Sequence, residues 1–262
     1  HNAGIALGPS LGGLLTILSY SFAFFFAATG MVLYGLLLAF LAVETLPVKT
    51  DAQNIAQTFR GYFEVFRDRP FLSFVFTFIL VQMTGVFMWV LLPVYVNDNF
   101  GIPESRYGLI PTTNALMVVL FQVLITRITR KYPPLPVMAL GSLLYALGVG
   151  SVALGGSFVA FWLSMVIMTI GELVLMPTAS TYVAQLAPAD MRGRYMSISG
   201  LTWNAAYGLA PITGGYLSDN IAPRAIWIGG LVTGLAASLG YSVLAKINRR
   251  RNLNRLPEDI QL

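Results

Sequence analysis

Charged residues in this chain are gathered into short segments, and between them run long uncharged stretches. Because about 20 apolar residues cross the hydrocarbon layer of a bilayer, these stretches are read as spans. No charge occurs from Asn2 to Val43, too long for one helix; the run breaks at Ser19-Tyr20-Ser21 and predicts a hairpin of two spans. Residues 44–70 differ, with acids, bases and a proline at each end (Pro47, Pro70). Within them Ile55, Phe59, Tyr62, Phe63 and Phe66 recur at helical spacing, which predicts an amphipathic helix on the membrane surface. Phe71–Asn97 reads as the third span, Asn97–Glu104 as a turn holding Gly101 and Pro103, and Tyr107–Thr126 as the fourth. The uncharged run from Tyr132 to Gly171 turns at Gly155-Gly156-Ser157, giving the fifth span and the start of a sixth that reaches about Ala187. Pro188–Arg194 is a polar loop, Tyr195–Ser218 the seventh span, Asp219–Arg224 a turn, and Ala225–Ala245 the eighth.

Composition fits this pattern: 56% of residues are hydrophobic and only 10% charged, against about 25% in a soluble domain. The chain has no cysteine, which excludes a disulfide framework or a thiolate metal site. The net charge of +5 is explained by sidedness. With eight spans both ends lie on one side, and that side holds fourteen of the sixteen Lys and Arg residues; only Arg106 and Arg224 fall on the other. The positive-inside rule makes the basic side cytoplasmic, so a multi-pass cell-membrane protein with both present termini in the cytoplasm is expected, and nucleic acid is not a partner.

The segment Asn2–Leu15 returns 202 residues further on as Asn204–Leu217, with seven of fourteen positions identical, including Pro9/Pro211, Gly12/Gly214 and Gly13/Gly215. Gly4, Gly8 and Gly12, like Ala206, Ala210 and Gly214, form a small-residue helical face that lets a neighbouring helix approach closely. Each proline removes one helical hydrogen bond, which favours a bend. An internal repeat follows. In its register the counterpart of Phe71 would lie 132 residues before residue 1, room for about four more spans, so a twelve-span parent in two halves of six is expected. Residues 1–43 would then be the last two helices of a truncated N-terminal half-bundle, and residues 44–70 a cytoplasmic linker. Residues 71–246 would form the C-terminal six-helix half-bundle and 247–262 a basic tail. The missing N-terminal helices, the bilayer, a small-molecule substrate and protons are the expected partners.

This arrangement resembles the major facilitator superfamily. Gly4-x-x-x-Gly8-Pro9-x-x-Gly12-Gly13 is similar to the antiporter motif on the fifth helix of its drug:proton antiporter branch. Arg127, Arg130 and Lys131 stand where the family's basic loop between helices eight and nine falls, although the aspartate of that pattern is Thr126 here. Pro188-x-x-x-Arg192-Gly193 resembles the loop into helix eleven. The resemblance makes the chain helices five to twelve of an all-α transporter. It implies proton-coupled efflux of amphipathic or drug-like molecules by alternating access. An importer of a sugar or metabolite with the same fold, and a non-transporting membrane scaffold or sensor, are the alternatives.

Glu172 is the one ionisable side chain in the middle of a span. An uncompensated charge there costs at least about 2.5–3.5 kcal/mol, so Glu172 is expected to face the bundle interior or a water-filled cavity. It is a candidate proton site or contact for a cationic substrate; the plainer reading is a carboxyl bonded to a neighbouring helix beside Gly171. Gln82, Met83, Phe87 and Trp89 on the third span are candidate walls of the same cavity. So are Asn114 and Gln122 on the fourth, and Trp203, Asn204 and Tyr207 on the seventh. The helices of Pro9 and Pro211 are expected to make the bendable contacts where the two halves meet. Catalysis has no footing: His1, the only histidine, has no metal partners at ligand spacing, and Gly12-Gly13 lacks the context of a phosphate loop. No cofactor, metal site or enzymatic activity is expected.

Overall fold

The computed structural model describes residues 2–43 and 61–253, and among these the secondary structure is helical, with no strand. Eight helices match the eight expected spans: α1 (Asn2–Leu18) and α2 (Tyr20–Leu41) form the hairpin. Helix α3 runs from Arg69 to Val86, through one π-helical turn at Phe87–Leu91, and on from Leu92 to Phe100. A short turn at Glu104–Tyr107 leads into α4 (Leu109–Thr129), followed by α5 (Pro134–Ser151), α6 (Phe158–Leu186), α7 (Arg192–Asn220) and α8 (Ala225–Leu253). Six of these, α2 to α6 and α8, are long and apolar enough to cross a membrane on those criteria alone. Helix α1 shows 17 residues, and α7 is long but interrupted by polar residues such as Asn204.

The polar breaks in the sequence act as caps. Ser19 accepts from the Phe22 amide at 3.0 Å and starts α2; Asp68 accepts from Phe71 at 3.1 Å and starts α3, with Pro70 in its first turn. Gly101, at φ +61°, ends α3 in the left-handed conformation that a side chain disfavours. The π turn in α3 lies just before Pro93, which has no amide hydrogen to offer the Trp89 carbonyl four residues back. Several boundaries differ from the sequence reading: α3 runs on to Phe100, α4 to Thr129, and α8 to Leu253, into the segment expected as a basic tail. Helix α7 already begins at Arg192, so Arg192 and Gly193 belong to its first turn and not to a loop, while Arg127 lies in the last turn of α4 with Arg130 as its C-cap.

Glycines set the closest helix pairs. A Cβ on Gly171 of α6 would stand 2.6 Å from the Tyr145 amide nitrogen and 2.7 Å from the Gly141 carbonyl oxygen, so α5 and α6 meet backbone to backbone. Helix α8 lies against α3 and α5, with Gly234 over Ala146 and Thr84, and the Thr84 and Thr233 hydroxyls hydrogen-bond at 2.9 Å. At one end of the bundle Trp227 is fully buried, edge-on to Tyr95 with ring centres 5.0 Å apart.

The two repeated small-residue faces sit in different surroundings. Ala206, Ala210 and Gly214 of α7 are buried inside the six-helix unit, Gly214 seated on Phe87 and Leu91 of α3. That face packs tightly within the six-helix unit, where a Cβ on Gly214 would press on the Leu91 and Phe87 side chains. Gly215 has open space around its Cα. On α1, a Cβ placed on Gly4, Gly8 or Gly12 would meet no described atom within 4 Å, whereas Gly13 faces the Ser105 backbone. Helix α1 packs on α4, and the Tyr20 hydroxyl donates to the Glu104 carboxylate at 2.8 and 2.9 Å. Helix α2 carries no buried residue.

Of the expected amphipathic helix, Ile55 and Phe59 lie outside the described residues. Its far end is helical at 61–65, with Val65 fully buried in the six-helix core while Phe63 and Phe66 stay exposed. Asp68 ties this segment to α7: its second carboxylate oxygen accepts from the Tyr195 hydroxyl at 2.7 Å.

Candidate functional site

Two cavities meet at Glu172. The larger, of about 780 Å³, lies between α3, α6 and α7 and is walled by Phe78, Trp89, Met176, Trp203, Asn204 and Tyr207. The smaller, of about 350 Å³, lies between α4 and α6 and includes Asn114, Gln122 and Pro177. Trp89, Glu172, Met176 and Ser180 border both. Glu172 is half-buried, its Oε2 accepting from Asn114 Nδ2 at 2.6 Å. The same amide nitrogen donates to the Thr169 hydroxyl at 2.9 Å, which in turn donates to the Met165 carbonyl at 2.7 Å. No base stands among the residues that wall either cavity, and among the described residues the carboxylate is partnered by the neutral Asn114 amide.

Helix α4 is tied to α6 by further polar contacts. The Trp162 indole donates to Thr113 at 2.8 Å, and Gln122 Nε2 donates to the Leu173 carbonyl at 3.2 Å and to Thr126 at 3.1 Å. The Leu173 carbonyl is the one that Pro177 leaves without a helical partner, since proline has no amide hydrogen. Gln122 therefore repairs a proline break one turn from Glu172.

Of the residues singled out in the sequence, the structure brings Glu172, Trp89, Asn114, Gln122, Asn204 and Tyr207 to these two cavities. Trp203 joins them, its ring 6.0 Å from that of Tyr207. Gln82, Met83 and Phe87 do not reach them: all three are buried within the six-helix core, and neither amide atom of Gln82 has a hydrogen-bond partner among the described residues. Phe87 packs instead against Gly214 of α7. Sequence reasoning missed Met176 and Ser180, although they follow Glu172 at the i+4 and i+8 positions of one helical face. Met196 and Ser199 were likewise legible, two turns and one turn before Trp203.

A bundle of apolar membrane-length helices around a midspan carboxylate and an aromatic-lined cavity has the form of a transport protein. The family model of the Major Facilitator Superfamily matches residues 74–259, and the chain belongs to that superfamily. Members of that superfamily are transporters rather than enzymes, and the membrane-length helices of this chain fit a multi-pass membrane protein. Among curated relatives, the Na(+), Li(+), K(+)/H(+) antiporter of Planococcus maritimus is 28% identical over 87% of this chain and 58% of its own length. Multidrug resistance protein MdtH of Escherichia coli is 31% identical over 97% of this chain and 64% of its own. The chain thus spans about six tenths of the length of these relatives. The fold is shared with a crystal structure of a POT family transporter in complex with a thioalcohol-conjugated peptide. That match has a TM-score of 0.57 and 20% identity and covers 88% of this chain and 54% of the other.

Proposed function

We propose that this chain serves proton-coupled efflux of lipophilic cations, with Glu172 as the carboxyl for which proton and cargo compete. The observation that carries this reading is the position of Glu172 on the common wall of two cavities, without a basic partner and ringed by Trp89, Met176, Trp203 and Tyr207. Aromatic faces attract cations, and methionine adapts to varied apolar shapes, so the walls suit an amphipathic cargo while the carboxylate supplies the one fixed charge. A cation entering from the basic side displaces the proton from Glu172. After the two halves rock about the cavity, a proton from the opposite side displaces the cation and returns the carboxyl to neutrality. The basic side, with Arg127, Arg130 and Arg192, is cytoplasmic by the positive-inside rule.

A second reading is exchange of a monovalent metal cation for protons. It is favoured by the neutral oxygens near the carboxylate, the Thr169 hydroxyl among them, and by the name of the Planococcus relative. The test uses everted vesicles carrying the full-length protein, with an acid interior and a fluorescent reporter of the pH gradient. Tetraphenylphosphonium should collapse the gradient, and Glu172→Gln should reduce that collapse at least tenfold while leaving the protein inserted. Collapse by sodium or lithium alone moves the assignment to the second reading. No response to either class overturns both.

A further inference from the structure

A second pair of cavities lies at the basic end of the bundle, away from Glu172. One, of about 80 Å³, sits between the ends of α4 and α6 and carries polar side chains, those of Thr126, Thr129, Arg130, Thr178, Thr181 and Gln185. The other, of about 410 Å³, is apolar and opens between α4, α5 and α6 beside Ile125, Ile128, Val137, Leu140 and Val174. The two share Thr129 and Tyr132 in their walls, so they adjoin, a polar head beside an apolar body.

Charge and hydrogen-bond polarity define what fits. Arg130 is the one charged residue in the walls of the two cavities, with Arg127 and Lys131 beside it in sequence, and no Asp or Glu lines either cavity. The head of the cleft is therefore set for an anion. Three of its hydroxyls have spent their protons elsewhere: Thr129 donates to the Thr126 carbonyl at 3.2 Å, Thr178 to Val174 at 2.7 Å, and Thr181 to Pro177 at 2.9 Å. Their oxygens are left as acceptors, whereas the Arg130 guanidinium and the Gln185 amide donate. The complementary ligand carries a phosphate beside hydroxyl donors and continues into a hydrocarbon chain.

We infer that this cleft is a binding site for an anionic phospholipid with a polyol headgroup, of the phosphatidylglycerol class. The phosphate pairs with Arg130, the glycerol hydroxyls donate to the threonine oxygens, and one acyl chain lies along Leu140 and Val174. This inference does not depend on what the transporter carries.

The test is native mass spectrometry of the full chain in mild detergent, with phosphatidylglycerol, phosphatidylethanolamine and phosphatidylcholine added at equal concentration. The wild type should retain phosphatidylglycerol in preference to both zwitterionic lipids. Arg130→Ala, at an exposed position, should weaken that retention about fivefold, the equivalent of about 1 kcal/mol for one base at a lipid surface. Leu140→Trp, which fills the apolar body, should weaken it as well, while Arg250→Ala in the last turns of α8 should leave it unchanged. Glycerol 1-phosphate, which has the head but no chain, should not displace the bound lipid. The inference is overturned if retention is equal among the three lipids, if Arg130→Ala and Arg250→Ala behave alike, if Leu140→Trp retains the lipid like the wild type, or if glycerol 1-phosphate alone empties the site.

Discussion

Gln122 offers the sharpest test of how the site is held. Its side chain crosses from α4 to the Leu173 carbonyl at 3.2 Å, and that carbonyl lacks a helical donor because residue 177 is proline. Replacing Gln122 by leucine keeps the volume and removes the donor. Interhelical hydrogen bonds in membrane proteins are worth about 0.6 kcal/mol on average and up to about 1.7. Leaving a polar group unpaired costs about 1–3 kcal/mol when no water reaches it. Gln122 and Pro177 both border a cavity that water can enter, so the lower part of the range applies and Gln122→Leu should cost about 1–1.5 kcal/mol. In a Pro177→Ala background the amide of residue 177 can donate to Leu173, and the same substitution should then cost under about 0.5 kcal/mol. The lost bond to Thr126 is common to both backgrounds and cancels in the double-mutant cycle. The four proteins are compared by titrating dodecyl sulfate into mixed micelles and following helicity by circular dichroism. A coupling energy near 1 kcal/mol supports the repair. Equal costs in the two backgrounds refute it, and Gln122 would then be a cavity residue with no special bond to the kinked helix.

Further outcomes follow from other contacts. Gly171→Ala should destabilise by about 1–3 kcal/mol, since the new methyl meets the Tyr145 and Gly141 backbones. Gly200→Ala, with open space around it, should fall within about 1 kcal/mol of the wild type and on the stabilising side in the same titration. Tyr195→Phe should cost about 0.5–1.5 kcal/mol by freeing one oxygen of Asp68. Limited proteolysis should cut faster near residue 66 in that variant, and an unchanged cleavage rate would argue against a latch. Trp203→Ala should weaken tetraphenylphosphonium binding about 2- to 30-fold, as expected for loss of a cation–π wall, with Ile212→Ala on the exposed face of α7 as the unaffected control.

Much of the site lay open in the sequence, and for a definite reason. A charge in the middle of a span is costly, so Glu172 stands out with no knowledge of its neighbours, and Asn114 and Asn204 stand out on the same grounds. Trp89 was legible as an aromatic, but not the proline-linked π turn in which it sits. Gln82 and Phe87 misled because polarity and aromaticity on a membrane helix say nothing about which side faces the cavity. In a soluble helix an apolar stripe marks the core; here lipid-facing and core-facing residues are equally apolar, and the usual amphipathic signal vanishes.

The sequence by itself determined the helix count, the turns, the crowding of bases at one end and the repeat that relates α1 to α7. These depend on hydrocarbon thickness, capping chemistry and local backbone rules, each read over a few neighbouring residues. Tertiary structure alone decided that Ala206, Ala210 and Gly214 are buried within the six-helix unit, Gly214 against Phe87 and Leu91. It also decided that Asn114 holds Glu172 and that Gln122 serves a carbonyl fifty-one residues away. Such pairings depend on the rotation of each helix about its own axis, which is set by where glycines let backbones touch and not by how apolar any one segment is.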